Sequence, residues 1–179
     1  MMRQVYGGRK AVALVTSEAL TRLHLEVLDG VCRRPGAERT YLIKPPGTKA
    51  DVDFANLTIM DGTFDDIPLK EQSLDAMVVV DIQDAARLRA SCREFRRVLR
   101  NGGLMCGCSP FLGWGAESDP LDLGEFMKKM KYLATGKPYH TKEAIRKALA
   151  ESFDSVDVAG MSFLTAFVSA VAPIGPKPS

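Results

Sequence analysis

Residues 71–108 read EQSLDAMVVVDIQDAARLRASCREFRRVLRNGGLMCGC, and this stretch decides the fold. Leu74–Asp81 (LDAMVVVD) opens on a leucine and an aspartate and runs on through uninterrupted apolar residues. Such a run suits a strand buried on both faces, at the centre of a parallel sheet. An amphipathic helix is expected over about Asp84 to Arg100, with Leu88, Cys92, Phe95 and Leu99 on one stripe. Its opposite face carries Arg87, Arg89, Arg93, Arg96, Arg97 and Arg100. Asn101-Gly102-Gly103 tolerates left-handed backbone and is expected to end the helix. Leu104–Cys108 then returns as a strand.

Working outward, Ala11–Val15 is a second buried strand, followed by a helix from about Glu18 that Ser17 would cap and Gly30 would end. Tyr41–Ile43 and Leu57–Met60 read as short strands. Residues 44–56 form a loop with one helical turn near Val52–Ala55. Asp119-Pro120 starts a helix bearing Phe126, Met130 and Leu133, and Thr141 caps another bearing Ile145, Leu149 and Phe153. Val156–Met161 and Thr165–Ala172 read as a closing antiparallel hairpin. Strand and helix alternate, so the fold class is α/β. The expected architecture is a three-layer sandwich on a mostly parallel seven-stranded sheet. Residues 1–172 form one domain and 173–179 a loose tail.

The chain has 179 residues, room for one domain. Its net charge of +2 is too small to demand nucleic acid or an acidic membrane as partner. The four cysteines, Cys32, Cys92, Cys106 and Cys108, form no CxxC pair, and only His24 and His140 are present to complete a metal site. The cysteines therefore read as buried apolar groups in a reducing compartment, and no metal site is expected. No apolar run reaches the roughly 20 residues of a membrane span. A cytoplasmic protein without a membrane partner is expected.

The order of four segments resembles the class I (Rossmann-fold) S-adenosylmethionine-dependent methyltransferases. DGTFDDIPL at Asp61–Leu69 is similar to the acidic loop after the family's third strand. EQSLDAMVVVDI is similar to its acidic turn and fourth strand. FRRVLRNGG at Phe95–Gly103 resembles the end of the helix before the fifth strand, and Phe153–Ala172 resembles the closing hairpin. The resemblance implies a methyltransferase-like Rossmann fold, S-adenosylmethionine as cofactor, and cofactor contacts at Thr16, Ser17, Asp61, Gly62, Thr63, Phe64 and Asp81. Asp81, at the end of the fourth strand, is the catalytic candidate.

The sequence departs from the family at three grips. Thr16-Ser17-Glu18-Ala19 replaces the glycine-rich loop after the first strand, and no glycine lies between Gly8 and Gly30. Glycine lets backbone approach a ligand closely, and a helix N-terminus favours an anion, so Glu18 is unfavourable there. Lys44 stands where the family has an acid that accepts from the ribose hydroxyls, and lysine only donates. Counting back five residues from Pro68 gives Thr63 where the adenine-binding aspartate belongs.

Two functions follow. One is a methyltransferase of unknown acceptor, possessing weakened or atypical cofactor binding and a small-molecule substrate. The other is an inactive pseudo-methyltransferase with a protein partner, similar in layout to the N-terminal domain of anamorsin. The iron–sulfur role does not carry over, because this sequence has no cysteine-rich region. Nucleic-acid binding through the arginine face is a weaker third. A solvated face is the plainer reading of those arginines. Packing is likewise the plainer reading of Cys106 and Cys108, a turn of Asp65-Asp66, and a surface loop of Tyr139-His140. Phe111 and Trp114 are equally suited to a planar ligand or to the core.

Overall fold

The computed structural model describes residues 9–17, 20–80, 87–110, 141–160 and 165–173. In chain order these form β1 (Ala11–Thr16), α1 (Arg22–Cys32), β2 (Arg39–Lys44), β3 (Leu57–Asp61), β4 (Leu74–Val80), α2 (Leu88–Val98), β5 (Leu99–Pro110), α3 (Lys142–Ala150), β6 (Ser155–Gly160) and β7 (Thr165–Val171). The strands make one seven-stranded sheet in the order β3-β2-β1-β4-β5-β7-β6. The first five pair in parallel, and β7 inserts antiparallel between β5 and β6. The expected α/β architecture and closing hairpin are both present.

Alternate residues of the central strands feed two cores. Ala11, Ala13, Val15, Ile43, Met77 and Val79 pack with Phe95 of α2, Leu149 of α3 and Phe153 just after α3. Val12, Leu14, Leu42 and Val78 pack on the other face against Val27, Leu28 and Val31 of α1. β1 and nearly all of β4 are buried throughout, which explains their unbroken apolar sequence.

Several local expectations need correction. Ser17 does not cap α1; the helix begins at Arg22 behind Thr21, and it runs past Gly30 to Cys32. No helical turn forms at 52–55. Asn101-Gly102-Gly103 does not end α2, which stops at Val98. Leu99 is already extended and pairs with Leu74, and a register shift separates this pair from Ala76–Leu104. The irregular segment is fixed by Gly102, at φ +71°, whose N–H donates to the Ala172 carbonyl. Left-handed backbone is what glycine tolerates, so the glycines serve this bulge and not a helix end. Thr141 does cap α3, accepting the Ala144 N–H at 3.1 Å. Asp81, Asp84, Phe111, Trp114, the Asp119–Leu133 segment, Tyr139 and His140 lie outside the described residues.

Candidate functional site

In an open parallel sheet, ligands settle beyond the carboxyl ends of the strands, where the strand order reverses. Here that point lies between β1 and β4. Register aligns the last residues of four strands: Lys44 opposite Asp61, Thr16 opposite Val80, and Thr16 one step beyond the Val15–Ile43 pair. Alternation puts Asp61, Lys44, Thr16 and Val80 on the α1 side of the sheet, in line with Leu57, Leu42, Leu14 and Val78.

The centre of this row is filled by the protein's own side chains. Thr16 and His24 are both buried, and the Thr16 hydroxyl lies 3.2 Å from His24 Nε2. The Thr21 N–H donates to His24 Nδ1 at 3.0 Å, and the Thr21 hydroxyl lies 2.7 Å from the same nitrogen. A backbone N–H only donates, so Nδ1 is the accepting nitrogen. The neutral ring then carries its proton on Nε2 and donates it to Thr16. That tautomer cannot take a proton from Thr16, so the pair is not a nucleophile and base. Its work is capping: Thr21 and His24 stand at the N-cap and N3 positions of α1 in a capping-box arrangement. The signal was present as Thr21-x-x-His24, with histidine where glutamate or glutamine is usual.

At the end of β2, Lys44 is nearly buried and its ammonium is paired with Asp61 of β3; the Asp61 side chain stays 54% exposed. Sequence reasoning placed these two residues separately and missed their pairing.

The loop after β3 is held by structural contacts. Gly62 donates its N–H to the Lys44 carbonyl, and a Cβ there would fall 2.7 Å from Pro68 Cδ and 2.9 Å from Ile43 Cγ2. Thr63 and Asp66 exchange backbone hydrogen bonds, and the Thr63 hydroxyl donates to Asp65. Phe64 points into the core, edge-on to Phe95 with ring centroids 5.8 Å apart. The Ile67 N–H donates to Glu94, while Arg97 donates to the Ile67 and Leu69 carbonyls and to both Glu94 oxygens. Hydrogen bonding from Arg97 holds the Glu94 carboxyl below its usual range against the opposing effect of burial. Ser17 is exposed.

The arginine face of α2 is mostly engaged. Arg87 meets Asp65, Arg89 meets Glu151, Arg97 meets Glu94, and Arg100 meets Asp75. Arg96 donates to the Leu99 carbonyl and to Asn101. An open groove of about 400 Å³ lies at the opposite end of the molecule from the row, between Gln72, Arg93, Arg97 and Ser152. Cys32, Cys92 and Cys106 are buried, and no group of three metal-binding side chains occurs among the described residues. None of the described helices is long and apolar enough to cross a membrane.

The described residues do not fit S-adenosylmethionine in the way the resemblance implies. The N–H of Thr21, next to the first crossover, is answered by His24, and the β2 end offers an ammonium that cannot accept from ribose hydroxyls.

Comparison with known proteins agrees on the fold. Residues 40–107 match the family described as a methyltransferase domain. No curated protein matches the chain significantly. A putative methyltransferase from Haloferax volcanii, solved in complex with the Trm112 methyltransferase activator, is similar at 15% identity and TM-score 0.67. The match covers 96% of this chain and 85% of that one. Human N-acetylserotonin methyltransferase, solved in complex with SAM, is similar at 13% identity and TM-score 0.68, covering 96% of this chain and 50% of that one. The [4+2]-cyclase SpnF is similar at 12% identity and TM-score 0.60, covering 97% and 80%. Likeness at this identity is one of fold, and the fold carries more than one activity. The chain thus has the methyltransferase-like Rossmann fold, and within it residues 40–107 resemble a methyltransferase domain in sequence.

Proposed function

We propose that this chain is a methyltransferase-like domain that binds S-adenosylmethionine weakly or not at all, and that it acts in the cytoplasm by associating with another protein. The observation that carries this reading is the His24 cap. A helix N-terminus beside the first crossover attracts an anion through its unpartnered N–H groups. Here His24 answers the Thr21 N–H and also engages Thr16. A cofactor would have to displace a buried side chain and leave polar groups without partners, a loss of about 1–3 kcal/mol for each such group. The Haloferax methyltransferase, seen with an activator protein, supports a protein partner as the mode of action.

Calorimetry of the full chain with S-adenosylmethionine and with S-adenosylhomocysteine tests the reading. No saturable heat is expected below millimolar cofactor, whereas a micromolar dissociation constant would overturn it. Reconstitution with a purified candidate partner should give a stable complex, and a strictly monomeric chain would count against the proposal.

The second reading is an active methyltransferase of a small molecule, favoured by the likeness to the human enzyme solved with SAM. In it Thr16, Ser17, Asp61, Gly62, Thr63 and Phe64 would line the cofactor, with Asp81 as the catalytic candidate. It requires Thr16 to part from His24 and Phe64 to leave Phe95.

A further inference from the structure

A buried ammonium needs an anion, because leaving water unpaired is costly. Lys44 ends β2 with a side chain only 11% exposed, and it forms an ion pair with Asp61. That partner is an unusual one: Asp61 sits on the edge strand β3 and is itself 54% exposed. A carboxylate so open to water can turn into solvent, provided that another anion takes its place beside the buried ammonium. Lysine offers three donors, and a single carboxylate oxygen uses one.

Position gives the ligand its character. Lys44 lies one strand from the β1/β4 switch point, at the sheet edge where α/β proteins hold nucleosides. In doubly wound folds an acid in this region accepts from free ribose hydroxyls, and a basic group accommodates a ribose phosphate. Thr16, next in the row, is engaged by His24 and offers no cation. Lys44 is thus the positive charge this row presents among its described members.

We propose that Lys44 is an anion-recognition residue, and that this edge takes a nucleoside phosphorylated on its ribose, with the Asp61 carboxylate occupying the phosphate position until the ligand arrives. The phosphate displaces Asp61 toward solvent and takes the ammonium's donors. No bond is made or broken.

The test measures binding of adenosine 2′-monophosphate, adenosine and inorganic phosphate to the full chain, to Lys44→Met, to Lys44→Arg and to Asp61→Asn. The wild type should bind the nucleotide at least about tenfold more tightly than adenosine, the size expected from one charge-assisted contact. Lys44→Met should bring the nucleotide down to the level of adenosine, and Lys44→Arg should retain the preference. Asp61→Asn should bind the nucleotide more tightly than wild type, because the competing carboxylate is gone. Circular dichroism checks each variant's fold. If Lys44→Met fails to fold, Asp61→Asn decides alone: tighter binding supports the proposal, and unchanged or weaker binding overturns it. Equal nucleotide affinity in wild type and folded Lys44→Met also overturns it. So does inorganic phosphate binding as tightly as the nucleotide. None of these readouts involves S-adenosylmethionine, so failure here leaves the preceding reading standing, and the converse holds.

Discussion

Arg100 places Nη1 2.7 Å from Oδ1 of Asp75, while the second oxygen of the same carboxylate accepts the backbone N–H groups of Lys10 at 2.9 Å and Ala11 at 2.8 Å. One side chain therefore joins the start of β1, the start of β4 and the start of β5. The Leu-Asp opening of β4 and the arginine that closes FRRVLR, two features of the family resemblance, meet in this contact.

Asp75→Asn should destabilise the chain by about 1–3 kcal/mol at pH 7, since hydrogen bonds to a charged acceptor are weakened and Arg100 loses its counter-ion. Burial alone would raise the Asp75 carboxyl, but the N–H groups of Ala11 and Lys10 together with Arg100 outweigh it and hold it below its usual value. A depressed carboxyl contributes stability that is present above the unfolded value near 3.9 and is lost as pH falls through the folded value. Urea melts at pH 7 and pH 3 should show the gap between wild type and variant shrinking at the lower pH.

Cys92 should resist alkylation in the native protein. It is buried beneath α2, and burial pushes its thiol up to about 12. The thiolate is the reactive form, so iodoacetamide at pH 8.5 should leave Cys92 unmodified until denaturant is added. Mass spectrometry of tryptic peptides reads the site directly.

Gly62→Ala should lower stability by about 1–3 kcal/mol, the usual cost of forcing atoms into a filled space. The added Cβ would meet Pro68, Ile43 and the Asp66 carbonyl, all within 3.0 Å. Thermal melting reads the loss. A melting point equal to that of wild type would mean the loop yields easily.

Glu94→Gln should loosen the loop after β3 without unfolding the sheet. Glu94 holds the Ile67 N–H and orients Arg97, which in turn holds the Ile67 and Leu69 carbonyls. Hydrogen exchange at the Ile67 amide should speed up by about tenfold or more, as expected for losing one charge-assisted hydrogen bond. Amides of β1 and β4 should be unchanged.

The sheet was legible because its strands obey simple rules. Ala11–Val15 and Ala76–Val80 are apolar since both their faces are covered, and β6 pairs antiparallel with β7, the strand that follows it in the sequence. Boundaries were less legible where tertiary contacts override local preference. Leu99 leaves helical conformation to pair with Leu74, and the glycines that looked like a helix end serve a bulge. Of the candidate edge, the lack of a glycine loop and the misfit of Lys44 were visible in the sequence. The Lys44–Asp61 pair was not, because it depends on strand register, and the Thr21-x-x-His24 signal of the cap went unread because the helix start was placed at Ser17 and Glu18. The arginine face of α2 read as one charged surface. Its members turn out to be distributed among carboxylates and a carbonyl from three other segments.

If the His24 ring holds the start of α1 against cofactor, as proposed, its ¹⁵N chemical shifts report it. With only two histidines in the chain, a His140→Gln variant assigns the signals. A neutral ring with its proton on Nε2, unchanged by millimolar S-adenosylmethionine, is the expected result. A ring protonated on Nδ1, or one whose shifts move and saturate with micromolar cofactor, would show instead that the first crossover is open to S-adenosylmethionine.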